Sequence, residues 1–248
     1  MLRARRELEV DEWVKALNRI NARPDLPITL QGGEPTFYPG FYDVVEIVDK
    51  PMDLLTNLQF DIEEFTARVK PNKFKREAPY ASIRVSYHPE TMSIYQTIND
   101  VILLLSMGYQ VGIWMVDHPR YENIKEAMAF ACIQAGIDFR TKEFLGVYEG
   151  KLYGRYKYPD AVGADEWKKV MCKPSELLVA PDGDVHRCHS DLYEGRNAYG
   201  NILDEGVKAL SKYKECSLYG NCNPCDIKLK TNRFQQFGHC SVKVKEER

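Results

Sequence analysis

The stretch Thr29-Leu30-Gln31-Gly32-Gly33-Glu34-Pro35-Thr36-Phe37 organises the reading of this chain. Ile28, Thr29 and Leu30 predict a short buried strand, and Gly32-Gly33 predict its end. Two adjacent glycines carry no Cβ and accept positive φ, so a ligand can approach the main chain itself. Glu34 places an acceptor-only carboxylate at the strand's C-terminal edge, suited to a ligand ammonium. Pro35 stiffens the exit from the turn. An ordinary strand-to-helix turn with a solvated Glu has the same letters, so the weight comes from the rest of the chain.

Outward from this turn the chain alternates. Val10, Trp13, Val14, Leu17 and Ile20 repeat at helical spacing, with Asp11 as a candidate N-cap, and Ala22 to Pro27 reads as a polar connector. Downstream, Phe41, Val44, Val45 and Val48 predict a helix, Met52 to Asn57 a strand, and Asp61 to Val69 a helix. Ala81 to Tyr87 alternates at period two, Ile94 to Leu105 is helical with Gly108 behind it, and Tyr109 to Val116 is a further strand. Tyr121 to Ala135, closed by Gly136, predicts the last helix, and Ile137 to Phe144 the last strand. Expected strand starts at residues 28, 52, 81, 109 and 137 are spaced by 24, 29, 28 and 28 residues. That regularity predicts an α/β fold: a parallel sheet, open or closed into a barrel, with its site at the C-terminal strand ends. The period stops past Gly146, and Tyr148 to Pro159 reads as a junction. We expect an α/β domain over residues 1–148 and a Cys-rich domain over 149–248.

Charge and hydropathy narrow the class. A net charge of -2 gives no general reason to expect nucleic acid or an anionic membrane as partner. The longest apolar run, Val101 to Leu105, is too short to span a bilayer, and the charged start at Arg3, Arg5, Arg6, Glu7 and Glu9 is unlike an export signal. A cytoplasmic protein is expected. Six of seven cysteines, Cys172, Cys188, Cys216, Cys222, Cys225 and Cys240, fall in the last third. In a reducing compartment such clustering favours metal over disulfides. Cys132, on a helix face with Ile124, Met128 and Ala135, reads as a buried structural thiol.

Leu177 to Ala180, Pro181-Asp182-Gly183-Asp184 and Val185 to Cys188 predict a hairpin that carries Cys172 and Cys188 to one end. Cys216 to Cys225 spells C-x5-C-x2-C, and the x2 pair is a chelate spacing. Four thiolates suit tetrahedral zinc as well as an iron-sulfur cluster, and His186, His189 and His239 beside cysteines keep zinc open.

Gly32, Gly33, Glu34 and Pro35 resemble the GGEP motif of the radical S-adenosylmethionine (SAM) superfamily, which follows the second strand of a partial β/α barrel and holds the methionyl amino group of SAM. Cys172-x10-Gly183-x4-Cys188, with Gly200-Asn201-Ile202 and a short helix after it, resembles the SPASM or twitch auxiliary-cluster domain of that superfamily. The downstream cysteines depart from the family's x2, x5, x3 order. The resemblance therefore implies one auxiliary iron-sulfur cluster, of the 4Fe-4S kind, on Cys172, Cys188, Cys222 and Cys225, with Cys216 and Cys240 as substitutes or further ligands. It makes Ser86, at the end of the fourth family strand, a second SAM contact, and Thr56-Asn57 a floor or rim of the cavity.

By the same resemblance, reductive SAM cleavage to a 5′-deoxyadenosyl radical would modify a peptide or small metabolite, with flavodoxin or ferredoxin as electron donor. Measured against the family, a partial (β/α) TIM-like barrel lacking its first strand is expected, and the catalytic CxxxCxxC loop is missing with it, since no cysteine precedes Cys132. The chain is expected to be a truncated form, inactive as given. A degenerate, non-catalytic binding protein with a zinc module competes with this expectation, and a conventional barrel lyase or aldolase ranks last for want of a lysine or paired-carboxylate site.

Overall fold

The structure is a computed structural model that describes residues 6–20, 27–231 and 236–246. It divides into two compact units: residues 9–144, and residue 145 onward together with the chain up to Leu8. The break falls after Phe144, just ahead of the expected boundary. Leu8 joins the second unit because its amide donates to the Pro181 carbonyl at 2.9 Å. Most of the expected 22–27 connector, and Arg3 and Arg5, lie outside the described residues.

The first unit is a five-stranded, all-parallel sheet in sequential order: β1 (Ile28–Leu30), β2 (Met52–Thr56), β3 (Ile83–Tyr87), β4 (Val111–Asp117) and β5 (Asp138–Glu143). Its helices are α1 (Val10–Arg19), α2 (Phe41–Ile47), α3 (Ile62–Arg68), α4 (Ile94–Ser106) and α5 (Glu122–Ala135). The N-cap of α1 is Glu9, not Asp11. Glu9 and Glu12 exchange hydrogen bonds in a capping box, which leaves Asp11 in the first turn. Asp61 and Ser93 cap α3 and α4, and Gly136 closes α5. Ile28 and Leu30 are half-buried rather than fully buried, because β1 is the sheet's edge and pairs only with β2.

The sheet's two faces differ. Met52, Leu54, Ile83, Val85, Ile113 and Met115, each at most 1% exposed, pack with Val45, Phe65, Leu104 and Met128 of the helices. Alternation turns Asp53, Arg84, Ser86, Trp114 and Arg140 to the other side. There Asp53, 1% exposed, receives the Arg76 guanidinium on both oxygens at 2.6 Å and Arg84 at 3.2 Å. Tyr80 lies under both arginines, 5.0 and 5.4 Å from ring centre to guanidinium. Gly112 is required on this face: a Cβ there would stand 2.8 Å from the Trp114 ring and 2.9 Å from the Asp138 carbonyl.

The second unit is built from small antiparallel sheets. A hairpin, β6 (Gly146–Tyr148) and β7 (Lys151–Tyr153), opens it. The central strand β8 (Lys168–Pro174) pairs with both β12 (Lys214–Tyr219) and β15 (Val242–Glu246). The expected hairpin is β9 (Leu178–Val179) with β10 (Asp184–His186), extended by β11 (Gly200–Asn201). Turns, and no helix, follow Ile202: Asn201 bonds the Leu203 and Asp204 amides instead. Short helices α6 (His189–Tyr193) and α7 (Pro224–Ile227) and the pair β13 (Lys230–Thr231) with β14 (Phe237–His239) complete it.

Candidate functional site

Two places concentrate the residues singled out by sequence, one in each unit.

At the C-terminal edge of the parallel sheet, Gly32 has φ of 133°, and nothing lies within 4 Å of where a Cβ on Gly32 or Gly33 would stand. The main chain there is open to approach. Pro35 starts a short 3-10 turn, Pro35–Phe37, with Glu34 as its N-cap. The Glu34 carboxylate is tied into the sheet. Its Oε1 accepts from the Thr36 amide (3.3 Å), the Thr36 hydroxyl (2.9 Å) and the Thr56 hydroxyl (2.9 Å), while Oε2 accepts from the Asn57 amide at 2.7 Å. One side chain thus fastens the end of β1 to the end of β2. Oε1 has three donors and Oε2 one, so Oε2 retains acceptor capacity for an incoming cation. Thr56 and Asn57, expected at the floor or rim of a cavity, hold this carboxylate. Ser86 is half-buried on the polar face, beside Trp114 in the register with β4.

The second place is a cavity in the Cys-rich unit. Cys172, Cys188, Cys216 and Cys222 line it, with Arg187, Asp191, Arg196, Asp226, Val242 and Val244. Each cysteine arrives on a different segment. Cys172 sits on β8 opposite Lys214, which puts Cys216 of β12 diagonally across on the same face. Cys188 is the N-cap of α6, its sulfur accepting from the Asp191 amide at 3.4 Å. Cys222 is anchored ahead of α7 by the hydrogen bond its backbone N–H donates to the Ala161 carbonyl at 2.9 Å.

Two of the sequence candidates stay outside. Cys225, in α7, is exposed, and its amide is taken by the Asn223 side chain that caps the helix. The buried Cys240 thiol donates to the Val242 carbonyl at 3.1 Å. Cys216, expected as a substitute or further ligand, lines the cavity, and Cys225 does not. Cys132 is fully buried, 3.7 Å from the Met128 sulfur, and burial pushes its thiol up to about 11.

Burial and mutual contact set the protonation of the four thiols. The Cys172 thiol donates to the Cys216 sulfur; this brings Cys216 down to about 6 and drives Cys172 far above the thiol range. Burial pushes Cys188 up to about 12 and Cys222 up to about 11. A metal entering this cavity must displace protons from at least three of the four. Among the described residues, no three His, Cys, Asp or Glu side chains stand close enough to hold a single metal ion.

The charged residues around the thiols are held by one another. Asp191, 1% exposed, accepts from Arg187 (2.9 Å), Arg196 (3.1 Å) and Asn197 (3.0 Å). Asp226, 2% exposed, accepts from the His189 amide at 2.9 Å and the Ser190 amide at 3.3 Å, and pairs with the His189 ring at 2.7 Å. His186 and His239 do not line the cavity. His186 faces the Arg196 carbonyl and His239 the Ser175 hydroxyl.

No family model and no curated protein matches this sequence. Sequence reasoning missed β8, β12 and β15, the sheet that carries Cys172 and Cys216, although Val242-Lys-Val-Lys alternates at period two.

Proposed function

We propose that this chain is a radical SAM protein whose parallel sheet is part of a β/α barrel and whose second unit carries one auxiliary iron-sulfur cluster of the 4Fe-4S kind. The observation that carries the reading is the convergence of Cys172, Cys188, Cys216 and Cys222, from four separate segments, on one cavity. The thiols line a shared space without closing on a point. Four thiolates on four separate iron atoms ask less convergence of the protein than four thiolates on one zinc ion. This exchanges Cys225 for Cys216 in the expected ligand set.

The sheet supports the finer fold. Strands in sequential order return past their helices in one sense, and the buried faces of the helices pack on one side of the sheet. A flat parallel sheet covered on both sides carries apolar residues on both, whereas the second face here sets Asp53, Arg84, Ser86 and Arg140 around Trp114. A curled sheet with a ligand-lined lumen accounts for that polarity.

In this reading Gly32 and Gly33 let the methionyl portion of SAM reach the main chain. Glu34, fixed by Thr36, Thr56 and Asn57, offers Oε2 to its ammonium, and Ser86 adds a polar contact from β3. When bound with a catalytic cluster, SAM supplies a 5′-deoxyadenosyl radical for hydrogen abstraction from a peptide or small metabolite, with a flavodoxin or ferredoxin as electron source. No CxxxCxxC lies ahead of β1 in this sequence, so the cleavage is proposed for a form that includes that loop. A reducing, cytoplasmic setting suits the free thiols. No helix among the described residues is long and apolar enough to cross a membrane.

Anaerobic purification and reconstitution, with iron, sulfide and zinc measured per chain, test the metal reading. Iron with acid-labile sulfide, abolished in Cys216→Ala and retained in Cys225→Ala, is expected. Stoichiometric zinc without sulfide would establish the competing zinc-bound, non-catalytic reading. Loss of iron in Cys225→Ala with retention in Cys216→Ala would refute the ligand set.

A further inference from the structure

Arg187 lies between β10 and Cys188 and lines the cysteine cavity. Its side chain is only 10% exposed and fixed at both ends of the guanidinium: Nη1 donates to the Glu215 carbonyl at 2.7 Å and Nη2 to Asp191 Oδ2 at 2.9 Å. Both anchors belong to the cluster framework. Glu215 precedes Cys216 on β12, and Asp191 lies on the helix whose N-cap is Cys188. The guanidinium therefore lies in the wall of the cavity that Cys172, Cys188, Cys216 and Cys222 also line.

The charges around it are fixed as well. Asp191 is shared between Arg187 and Arg196, so that trio carries one net positive charge. The Asp226 carboxylate, which accepts from the His189 and Ser190 amides, lines the same cavity, so Arg187 and Asp226 set opposite charges beside the thiols. A guanidinium neither titrates in the working range nor moves easily when fixed at both ends.

Resting on the cluster reading above, we propose that Arg187 is a positioning residue that sets the auxiliary cluster's reduction potential. Its buried guanidinium beside Cys172, Cys188, Cys216 and Cys222 stabilises the more negative, reduced state and raises that potential. One-electron reduction adds a negative charge to a thiolate-ligated cluster without moving a ligand, so the change is electrostatic and falls where local dielectric screening is weak. Groups outside the ligand set tune metal centres in this manner.

The test is an EPR-monitored redox titration of the reconstituted full chain, with dithionite as reductant and iron and sulfide counted in every sample. Arg187→Gln is expected to keep its cluster and titrate at lower potential, while Arg187→Lys stays close to the parent. Asp191→Asn, which leaves the guanidinium and removes its counter-charge, is expected to titrate higher. A loaded Arg187→Gln protein with an unchanged or raised midpoint overturns the proposal. If that variant does not load, the other two decide: an Asp191→Asn midpoint equal to or below the parent overturns it, and a raised one with Arg187→Lys unchanged supports it. A parent protein without sulfide removes the cluster reading and this proposal together. Loaded proteins with indifferent midpoints remove only the role of Arg187.

Discussion

Replacing Glu34 by alanine removes the acceptor that joins the ends of β1 and β2, and the structure sets the size of the effect. The two Thr36 bonds are local and half-exposed, so water replaces them at little cost. Thr56 is different: at 2% exposure its hydroxyl donates to Glu34 and accepts from the Leu58 amide, and without Glu34 its proton has no acceptor. An orphaned buried donor costs about 1–3 kcal/mol, and the Asn57 amide, at 2.7 Å from a charged acceptor, adds a loss of about 1.5 kcal/mol after water compensates in part. Glu34→Ala is therefore expected to destabilise the chain by about 3 kcal/mol, on the scale of those hydrogen-bond costs. Thr56→Val removes the same bond from the other side, and a double-mutant cycle of the two is expected to show coupling of about 1 kcal/mol. Urea unfolding followed by far-ultraviolet circular dichroism measures all four proteins. Loss below about 0.5 kcal/mol for Glu34→Ala, the range of ordinary surface substitutions, together with zero coupling, would refute the claim that this carboxylate fastens the two strands.

Other expectations follow from the buried charges. Asp53→Ala leaves Arg76 and Arg84 without their shared counter-ion on the polar face, and a loss of about 3–5 kcal/mol in urea unfolding is expected; a loss under 1 kcal/mol, the ceiling typical of exposed pairs, would mean that solvent already screens the trio. In the metal-free chain, burial raises Cys188 to about 12, and Cys222 and Cys132 to about 11, above the ordinary thiol value of 9.0. The folded state then binds more protons than the unfolded one, so this stability is fully present below about pH 9 and is lost as pH rises toward 11 and 12. The urea midpoint of the apo chain should fall over that window, and less steeply in Cys222→Ser; equal slopes would contradict a buried, protonated Cys222.

How much of this was legible in the sequence follows from the range of the interactions concerned. Helices and strands of the first unit are announced by local period: Val44-Val45-Val48 and Ile83-Val85-Tyr87 show their buried faces within one element. The strand spacing then implies a parallel sheet, because each strand must return past a helix. The Pro-Asp-Gly turn before Val185 marked the hairpin for an equally local reason. The cap of α1 was misplaced by two residues because Glu9 caps through a reciprocal bond with Glu12, and a search for a short polar cap residue passes over it.

That cysteines cluster in the last third and that a Gly-Gly-Glu-Pro turn follows a strand are matters of letters and spacing, readable along the chain. Which thiols share a cavity is a matter of sheet register. Cys172 and Cys216, 44 positions apart, meet because Cys172 pairs with Lys214 on the neighbouring strand, whereas Cys225 is turned outward by a single turn of helix capped at Asn223. Two of the four donors to Glu34, the Thr56 hydroxyl and the Asn57 amide, likewise come from the end of a strand more than twenty residues away, brought alongside by the pairing of Ile28 with Met52. Local pattern encodes each element's periodicity, but hydrogen-bonded register between distant strands selects which side chains face one another, and only the tertiary structure supplies that register.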